Sequence, residues 1–395
     1  MKRYMDIHIF TEYFGLINST GKIWESLADS LCCDAKIRVV TKGYESRAYK
    51  DKNYIVHSFG KHKINQSFIK KALSQIWTAF KMLHALSRTL RHKPIVLMGT
   101  NPSIFFILAV LLKRFRNFKL VVLVHDVFPE NLIASGIINE NHFLYRGLKV
   151  LMDYAYASAD KLIVVGRDME QVVSEKRGSC VGVFRSANFL DKPTFERIKE
   201  LSLNKHLNDA NIEAPTLVTF LGNLGRLQGI PELIEVLSLV KNKNVKFEFR
   251  GSGSEKNLIK NVESTSDSSV LSYEGEVSLA DNDQALIRGD ISLVTLKPGM
   301  YGLGVPSKIQ YELAAGKPIL GIGDKGSELE MIIKDHQVGW FIPWGDYKLM
   351  AGRLDFILIE YQKNGFDEKI SWKTVEDNFL TMNVLSKLKP FIMEI

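Results

Sequence analysis

At 395 residues the chain is longer than one hydrophobic core usually serves, so two domains are expected. Hydrophobic residues at 46 % and charged residues at 24 % describe an ordinary globular protein and exclude a disordered or low-complexity chain. The net charge of +8 is unevenly spread: residues 1–120 hold 21 Lys and Arg against 7 Asp and Glu, so the first part is suited to an anionic partner while the rest is acidic.

Cys32, Cys33 and Cys180 are too few and too close for a disulfide framework and lack zinc-ligand spacing; they read as incidental thiols in a reducing cytoplasm. The apolar stretch Ile7–Phe10 is too short for a signal-peptide core. The longest apolar run, Ile104–Leu112, falls well short of the ~20 residues of a bilayer span. The expectation is a cytoplasmic protein, at most peripheral to the membrane.

Short β-rich runs alternate with longer helical patterns, the signature of βαβ units and parallel sheets. Strands are expected at Asp6–Phe10, Lys36–Thr41, Ile55–Phe59, Pro94–Thr100, Leu120–His125 and Lys161–Val165. Helices fit around Ile23–Ser30, Gln66–Arg91, Ser103–Phe115, Phe143–Ala157 and Asp168–Ser174. Asn188 to Pro215, with Pro193 and weak periodicity, reads as a break. Alternation resumes with Leu217–Leu221, Val245–Arg250, Val270–Tyr273, Ile291–Leu296, Ile319–Ile322 and Gly339–Ile342. The reading is two doubly wound α/β domains, residues 1–195 and 205–370, with a return helix at about 373–395. Ligands bind beyond the carboxyl ends of parallel strands, so function is sought in the loops after strands.

The most informative loop is PGMYGLGVPSK, Pro298 to Lys308, which leads into a helix containing Glu312. Glycines admit close backbone approach, and a helix start bearing Ser307 and Lys308 suits a diphosphate. Glu312, one turn on, is placed to accept ribose hydroxyls. A second loop, Phe220 to Gly229, supplies Asn223, Arg226 and Gln228, with Arg226 able to fork onto phosphate oxygens. A third, Arg250 to Glu255, includes Gly251 and resembles half a dinucleotide fingerprint, but without the third glycine turn and N-cap duty is the better reading. In the first domain the loop Gly15 to Gly21 is placed to close over an acceptor or a phosphate. His125, with Asp126 and Glu130 near it, ends a strand and forms an electrophilic or acid–base candidate. Asp281 and Asp283 read as helix-start residues, so no obligatory metal is expected.

Over nearly the whole chain the order of elements resembles the retaining family-4 glycosyltransferases of the GT-B fold, whose two Rossmann-like domains face a cleft. Ser186 to Asp191 is similar to that family's Pro-Asn-Gly-Val-Asp segment, Gly222 to Gly229 to its phosphate loop, and Val305 to Pro318 to its donor helix. His125 to Glu130 and the Gly222 loop look most like bacterial surface-polysaccharide enzymes of the fucosaminyltransferase type. The family's paired glutamates depart here: Glu312 matches the second, but Gly304 stands at the first, and Asn223 and Gln228 replace the usual loop Arg and Lys. The resemblance implies transfer of a hexose or N-acetylhexosamine, with retention, from a nucleotide-sugar donor, UDP-linked in the subgroup, to a saccharide or polyprenyl-diphosphate-linked acceptor. It implies His125 near the transferred sugar, Lys308, Arg226 and Ser307 on the diphosphate, and Glu312 on ribose. Lys61, Lys63, Lys70 and Lys71, and the cluster Lys113, Arg114, Arg116 and Lys119, suit an anionic leaflet. A nucleotide-sugar 2-epimerase and a binding protein without turnover are the alternatives. The basic residues form no recognised nucleic-acid motif.

Overall fold

A computed structural model describes residues 5–15, 19–43, 53–60, 68–90, 93–208, 214–265, 270–278 and 281–395. Lys61, Lys63 and the middle of the Gly15 to Gly21 loop lie outside these residues, as does the side chain of Lys71. The chain divides into two compact units, one of Met1–Glu130, Asn139–Asn188 and Thr381–Ile395, the other of Asn131–Ile138 and Phe189–Leu380.

Unit 1 runs β1 (Met5–Tyr13), α1 (Ser19–Leu31), β2 (Ala35–Gly43), β3 (Tyr54–Ser58), α2 (Phe68–Thr89), β4 (Ile95–Gly99), α3 (Ser103–Lys113) and β5 (Lys119–Val124). After α4 (Glu130–Ala134), which but for Glu130 belongs to unit 2, unit 1 resumes with α5 (Phe143–Ser158), β6 (Lys161–Val164), α6 (Arg167–Arg177) and β7 (Val183–Arg185). The described strands form one parallel sheet in the order β3-β2-β1-β4-β5-β6-β7. Its middle strands, IVLMG and KLVVLV, are buried almost throughout, as parallel strands covered on both faces must be. The order reverses between β1 and β4, so right-handed crossovers send α1 to one face and α2, α3, α5 and α6 to the other. On that second face α2 packs on α3, α3 on α5 and α5 on α6. Helix α6 shows how local chemistry sets such an element: Asp168 and Glu170 in its first turn and Lys176 and Arg177 in its last complement the helix dipole. Gly178, in the left-handed conformation at φ 75°, ends it.

Unit 2 runs α7 (Lys192–Asn208), β8 (Thr216–Leu221), α8 (Ile230–Ser238), β9 (Val245–Arg250), α9 (Lys256–Thr265), β10 (Leu271–Tyr273), α10 (Asn282–Ile287) and β11 (Ile291–Thr295). It continues through α11 (Ile309–Ala314), β12 (Ile319–Gly323), α12 (Glu328–His336), β13 (Gly339–Pro343), α13 (Tyr347–Asn364) and α14 (Glu368–Thr374). Its parallel sheet has the order β10-β9-β8-β11-β12-β13 and reverses between β8 and β11. Val218, Phe220, Phe247, Phe249, Leu293 and Leu320 fill the core, with the Phe220 and Phe249 rings stacked at 5.6 Å.

Two expectations change. The segment expected as a break is largely helix α7: Asp191 caps it by accepting from the Thr194 amide (2.9 Å), and Pro193 sits in the first turn, where its missing N–H costs nothing. Among the described side chains the buried positions are Thr194, Phe195, Ile198 and Ser202, and a stripe half made of hydroxyl residues gives weak hydrophobic periodicity. The expected return helix is split. A π-helical turn, Val375–Phe379, follows α14, and α15 (Thr381–Met393) then packs on α1. In unit 1, Lys161 donates to the Phe391 and Glu394 carbonyls near the end of α15, at 2.5 and 2.7 Å.

Candidate active site

In unit 2 the loops after β8 and β9 are laced together through their backbones. The Gly222 amide donates to the Arg250 carbonyl (3.0 Å), Leu224 to Ser252 (2.8 Å) and Glu255 back to Leu224 (2.9 Å). The lacing demands glycine at its crossing: at Gly251, with φ 141°, a Cβ would lie 1.8 Å from the Gly222 carbonyl oxygen. Gly251 therefore holds the neighbouring loop, which is a different duty from direct ligand contact. What the lacing leaves outward is Asn223 and Arg226, both exposed, with Gln228 half-buried. Arg226 opens a single 3-10 turn capped by Gly229, and its ion pair with Glu255 is long at 4.0 Å. Its guanidinium is thus lightly held and presented to solvent.

The loop after β11 is pinned beside it. Lys297 donates its amide to Leu227 (2.9 Å), and Asp324 accepts from the Gly299 and Tyr301 amides (3.2 and 2.9 Å). Ser307 and Lys308 do not form the first turn of α11 as expected. The helix begins at Ile309 and runs only six residues; Ser307 is exposed and Lys308 occupies the cap position. The Lys308 ammonium lies 3.6 Å from the centre of the Phe220 ring and donates to the carbonyls of Leu221 (3.3 Å) and Leu293 (3.1 Å). Burial lowers its pKa to about 8, against a smaller raising pull from Glu312 and a further lowering push from Lys317. Gly222 lies against its stem, where an added Cβ would be 4.0 Å from Lys308 Cδ. Gly222, Arg226 and Lys308 thus share the carboxyl edge of β8 and β11, at the point where the strand order reverses.

Glu312 is not offered to a ligand. It is 1 % exposed, pairs with Lys317 Nζ at 2.9 Å and accepts from the Ser292 hydroxyl at 2.5 Å. Lys317 also donates to Thr219 Oγ1 and to the Arg288 carbonyl, both at 3.2 Å. The physical reason is that α11 is buried on nearly every side: Ile309, Gln310, Leu313 and Ala314 are buried too, so Glu312 turns into a closed ion pair. Asp283, further along, pairs with Arg197 (2.7 Å), and Asp281 accepts from the Ser278 hydroxyl rather than capping α10 with its side chain.

In unit 1, His125 follows β5 and presents its ring to the edge of Trp24 at 6.5 Å between centroids. Its Nε2 is buried with no hydrogen-bond partner among the described residues, and burial lowers its pKa to about 4, which keeps the imidazole neutral. Asp126, next to it, is exposed. Glu130 is drawn away from this pair into an ion cluster, with Lys176 at 2.5 Å and Lys149 at 3.2 Å, and both lysines also reach Asp153. That cluster ties the start of α4 to α5 and α6, which is a structural use of the carboxylate. The Gly15 amide, at φ 83°, donates to the Gly21 carbonyl (3.1 Å) and so closes the base of its loop.

Sequence reasoning missed a buried polar group at the same edge of unit 1. Glu12, near the end of β1, accepts from Gln75 and Asn101 (3.2 Å each) and lies 3.5 Å from Lys42 at the end of β2. Lys42 in turn donates to Ser74 (2.6 Å). Charged residues ending apolar strands at the reversal point were the available signal.

The chain matches no protein-family model. It is 34 % identical over 366 residues to the probable glycosyltransferase WbjE of Pseudomonas aeruginosa, covering 89 % of each chain. Among solved structures it is similar to Anabaena HepE in complex with UDP, at TM-score 0.69 and 14 % identity over 99 % of this chain and all of that one. It is also similar to WaaG, a glycosyltransferase involved in lipopolysaccharide biosynthesis, at TM-score 0.66 and 13 % identity over 98 % of this chain and 99 % of that one. The two parallel-sheet units are those of the GT-B fold, and by its relation to WbjE this chain belongs to the glycosyltransferases of GT-B type.

Proposed function

We propose that the chain transfers a hexose or N-acetylhexosamine from a UDP-linked donor, with retention as in family 4, to a saccharide or lipid-linked saccharide acceptor in surface-polysaccharide synthesis. The observation that carries the reading is the carboxyl edge of unit 2, where Arg226 and Lys308 flank the glycine-bounded turn after β8. The UDP bound by HepE and the part of WaaG in lipopolysaccharide biosynthesis support the donor and the setting. In this scheme the diphosphate takes the Lys308 ammonium in place of two backbone carbonyls, and Arg226 adds a second cation as leaving-group charge develops. The neutral His125, whose Nε2 has no partner among the described residues, is the unit 1 candidate for a hydrogen bond to a sugar hydroxyl. Asn223 and Gln228 add neutral donors in the same loop.

The test is a transfer assay with UDP-hexoses and UDP-N-acetylhexosamines and an undecaprenyl-diphosphate-linked saccharide, the anomeric configuration of the product read by NMR. An α-linked product from an α-linked donor fits the proposal. An inverted product contradicts retention, and conversion of the donor without any acceptor would favour the 2-epimerase alternative.

A further inference from the structure

The register of the unit 1 sheet gathers charge at its amino edge, the end away from Glu12 and His125. Asp6 and His8 on β1 lie beside Lys36 and Arg38 on β2, pair by pair, and alternate residues of a strand share a face. Helix α2 runs back along the sheet and stops at Thr89 without closing this corner. Between its last turn and the starts of β1, β2 and β3 lies a cavity of about 610 Å³, walled chiefly by Asp6, His8, Lys36, Arg38, Asn53 and Arg88. Lys36, Asn53 and Arg88 are exposed at its rim, Arg38 is half-buried, and His8, 5 % exposed, lies at its floor.

Two independent features suit this cavity to an anion. Three cations face the single carboxylate of Asp6, and none of the three has an ion-pair partner among the described residues. Arg88 complements the dipole at the end of α2, but that duty does not account for Lys36 and Arg38 on a strand. The second feature is His8, whose Nδ1 is buried with no hydrogen-bond partner among the described residues. A buried polar atom left unmet is costly, and a ligand oxygen would meet it. Burial holds the imidazole at a pKa of about 4, with the Arg38 charge adding to the lowering and Asp6 opposing it. The ring is therefore neutral and able to carry its proton on Nδ1.

We propose that this cavity binds a hexose phosphate, its phosphate held by Arg38, Arg88, Lys36 and the His8 Nδ1–H, and its hydroxyls by Asp6 and Asn53. Guanidinium groups fork onto phosphate oxygens, which gives the two arginines their part. The volume falls within the roughly 300–1,000 Å³ of small-molecule sites, more than a bare phosphate fills. Asp6 favours a phosphate carried on a sugar: its carboxylate repels a simple anion but accepts hydroxyls from a polyol. From Asp6 to Glu12, six residues of extended strand span roughly 20 Å, so this is a second ligand site, apart from the carboxyl edge of the same sheet. The inference goes beyond the proposed transfer reaction, and its test does not depend on turnover.

The experiment is calorimetry at pH 7 and low salt with glucose 6-phosphate, glucose 1-phosphate, inorganic phosphate and glucose. It uses the native chain, Lys36→Gln, Arg38→Gln/Arg88→Gln and Lys308→Ala, with thermal unfolding to show that each variant folds as the native chain does. A hexose phosphate is expected to bind more tightly than inorganic phosphate, and glucose not at all. Lys36→Gln and Arg38→Gln/Arg88→Gln are each expected to weaken that binding about tenfold or more, the effect of losing hydrogen bonds to a charged group. Lys308→Ala is expected to leave it unchanged, which separates this site from the unit 2 edge whether or not UDP binds there. In NMR, the His8 ring resonance, identified by its absence in His8→Gln, is expected to shift as the hexose phosphate is added. The proposal is overturned if no phosphate-bearing probe binds, if binding survives in Arg38→Gln/Arg88→Gln, or if it is lost in Lys308→Ala. Inorganic phosphate bound as tightly as either hexose phosphate would overturn the sugar-phosphate class, and an unmoved His8 resonance the part given to His8.

Discussion

Lys308 and Glu312 stand four residues apart, and their surroundings give them opposite roles. Lys308 is held by two carbonyls and a ring at the sheet edge, so an anion arriving there improves its position. Its pKa is lowered to about 8 from an ordinary 10.5, so above pH 8 the folded chain holds fewer protons here than the unfolded one. This group's contribution to stability therefore rises between pH 8 and 10.5, while affinity for a diphosphate, which needs the ammonium, falls. UDP titrations from pH 7 to 9.5 are expected to show that fall in the native chain and not in Lys308→Met. Glu312→Ala strands the Lys317 ammonium in the core and is expected to destabilise unit 2 by about 3–5 kcal/mol in urea unfolding, as breaking a buried pair does. A stable Glu312→Ala with weakened UDP binding would restore the ribose role that the buried geometry argues against. His125, neutral down to about pH 4, should leave no imidazole inflection between pH 6 and 7 in kcat.

At the scale of elements, the phosphate-side loops stand or fall together, because the turns after β8 and β9 share backbone bonds. Gly251→Ala puts a methyl into the Gly222 carbonyl at a φ that L side chains rarely adopt. The strain of such a conformation alone costs about 1–3 kcal/mol. Thermal unfolding should show at least that loss, together with weaker UDP binding from a residue that touches no ligand. The strands and these loops were legible from sequence because apolar runs closed by glycines are local signals. Helix α7 was not, since Ser202 sits in its buried stripe and Pro193 reads as a breaker unless the Asp191 cap is known. The pairing of Glu312 with Lys317 was not legible for a related reason: helical spacing says which residues share a face, but only packing says whether that face meets a ligand or the core. Glu130 was lost the same way, its partners Lys149 and Lys176 lying far along the chain.

For the whole molecule, the charge asymmetry read first divides the work between the two units. In the proposed reading the donor site lies in unit 2, where Arg226 and Lys308 are cations within an acidic half, and the basic half of the chain is left to an anionic acceptor. Donor binding should therefore stabilise the chain: UDP at a hundred times its Kd is expected to add about 2.7 kcal/mol, visible as a raised Tm. The most direct test of the account is calorimetry of UDP and GDP with the native chain and Lys308→Ala at pH 7. We expect selective binding of UDP, weakened in the variant by about 1.5–3 kcal/mol, the worth of a hydrogen bond to a charged group. Binding of neither nucleotide, or UDP binding that Lys308→Ala leaves unchanged, would contradict the assignment of the unit 2 edge as the donor site.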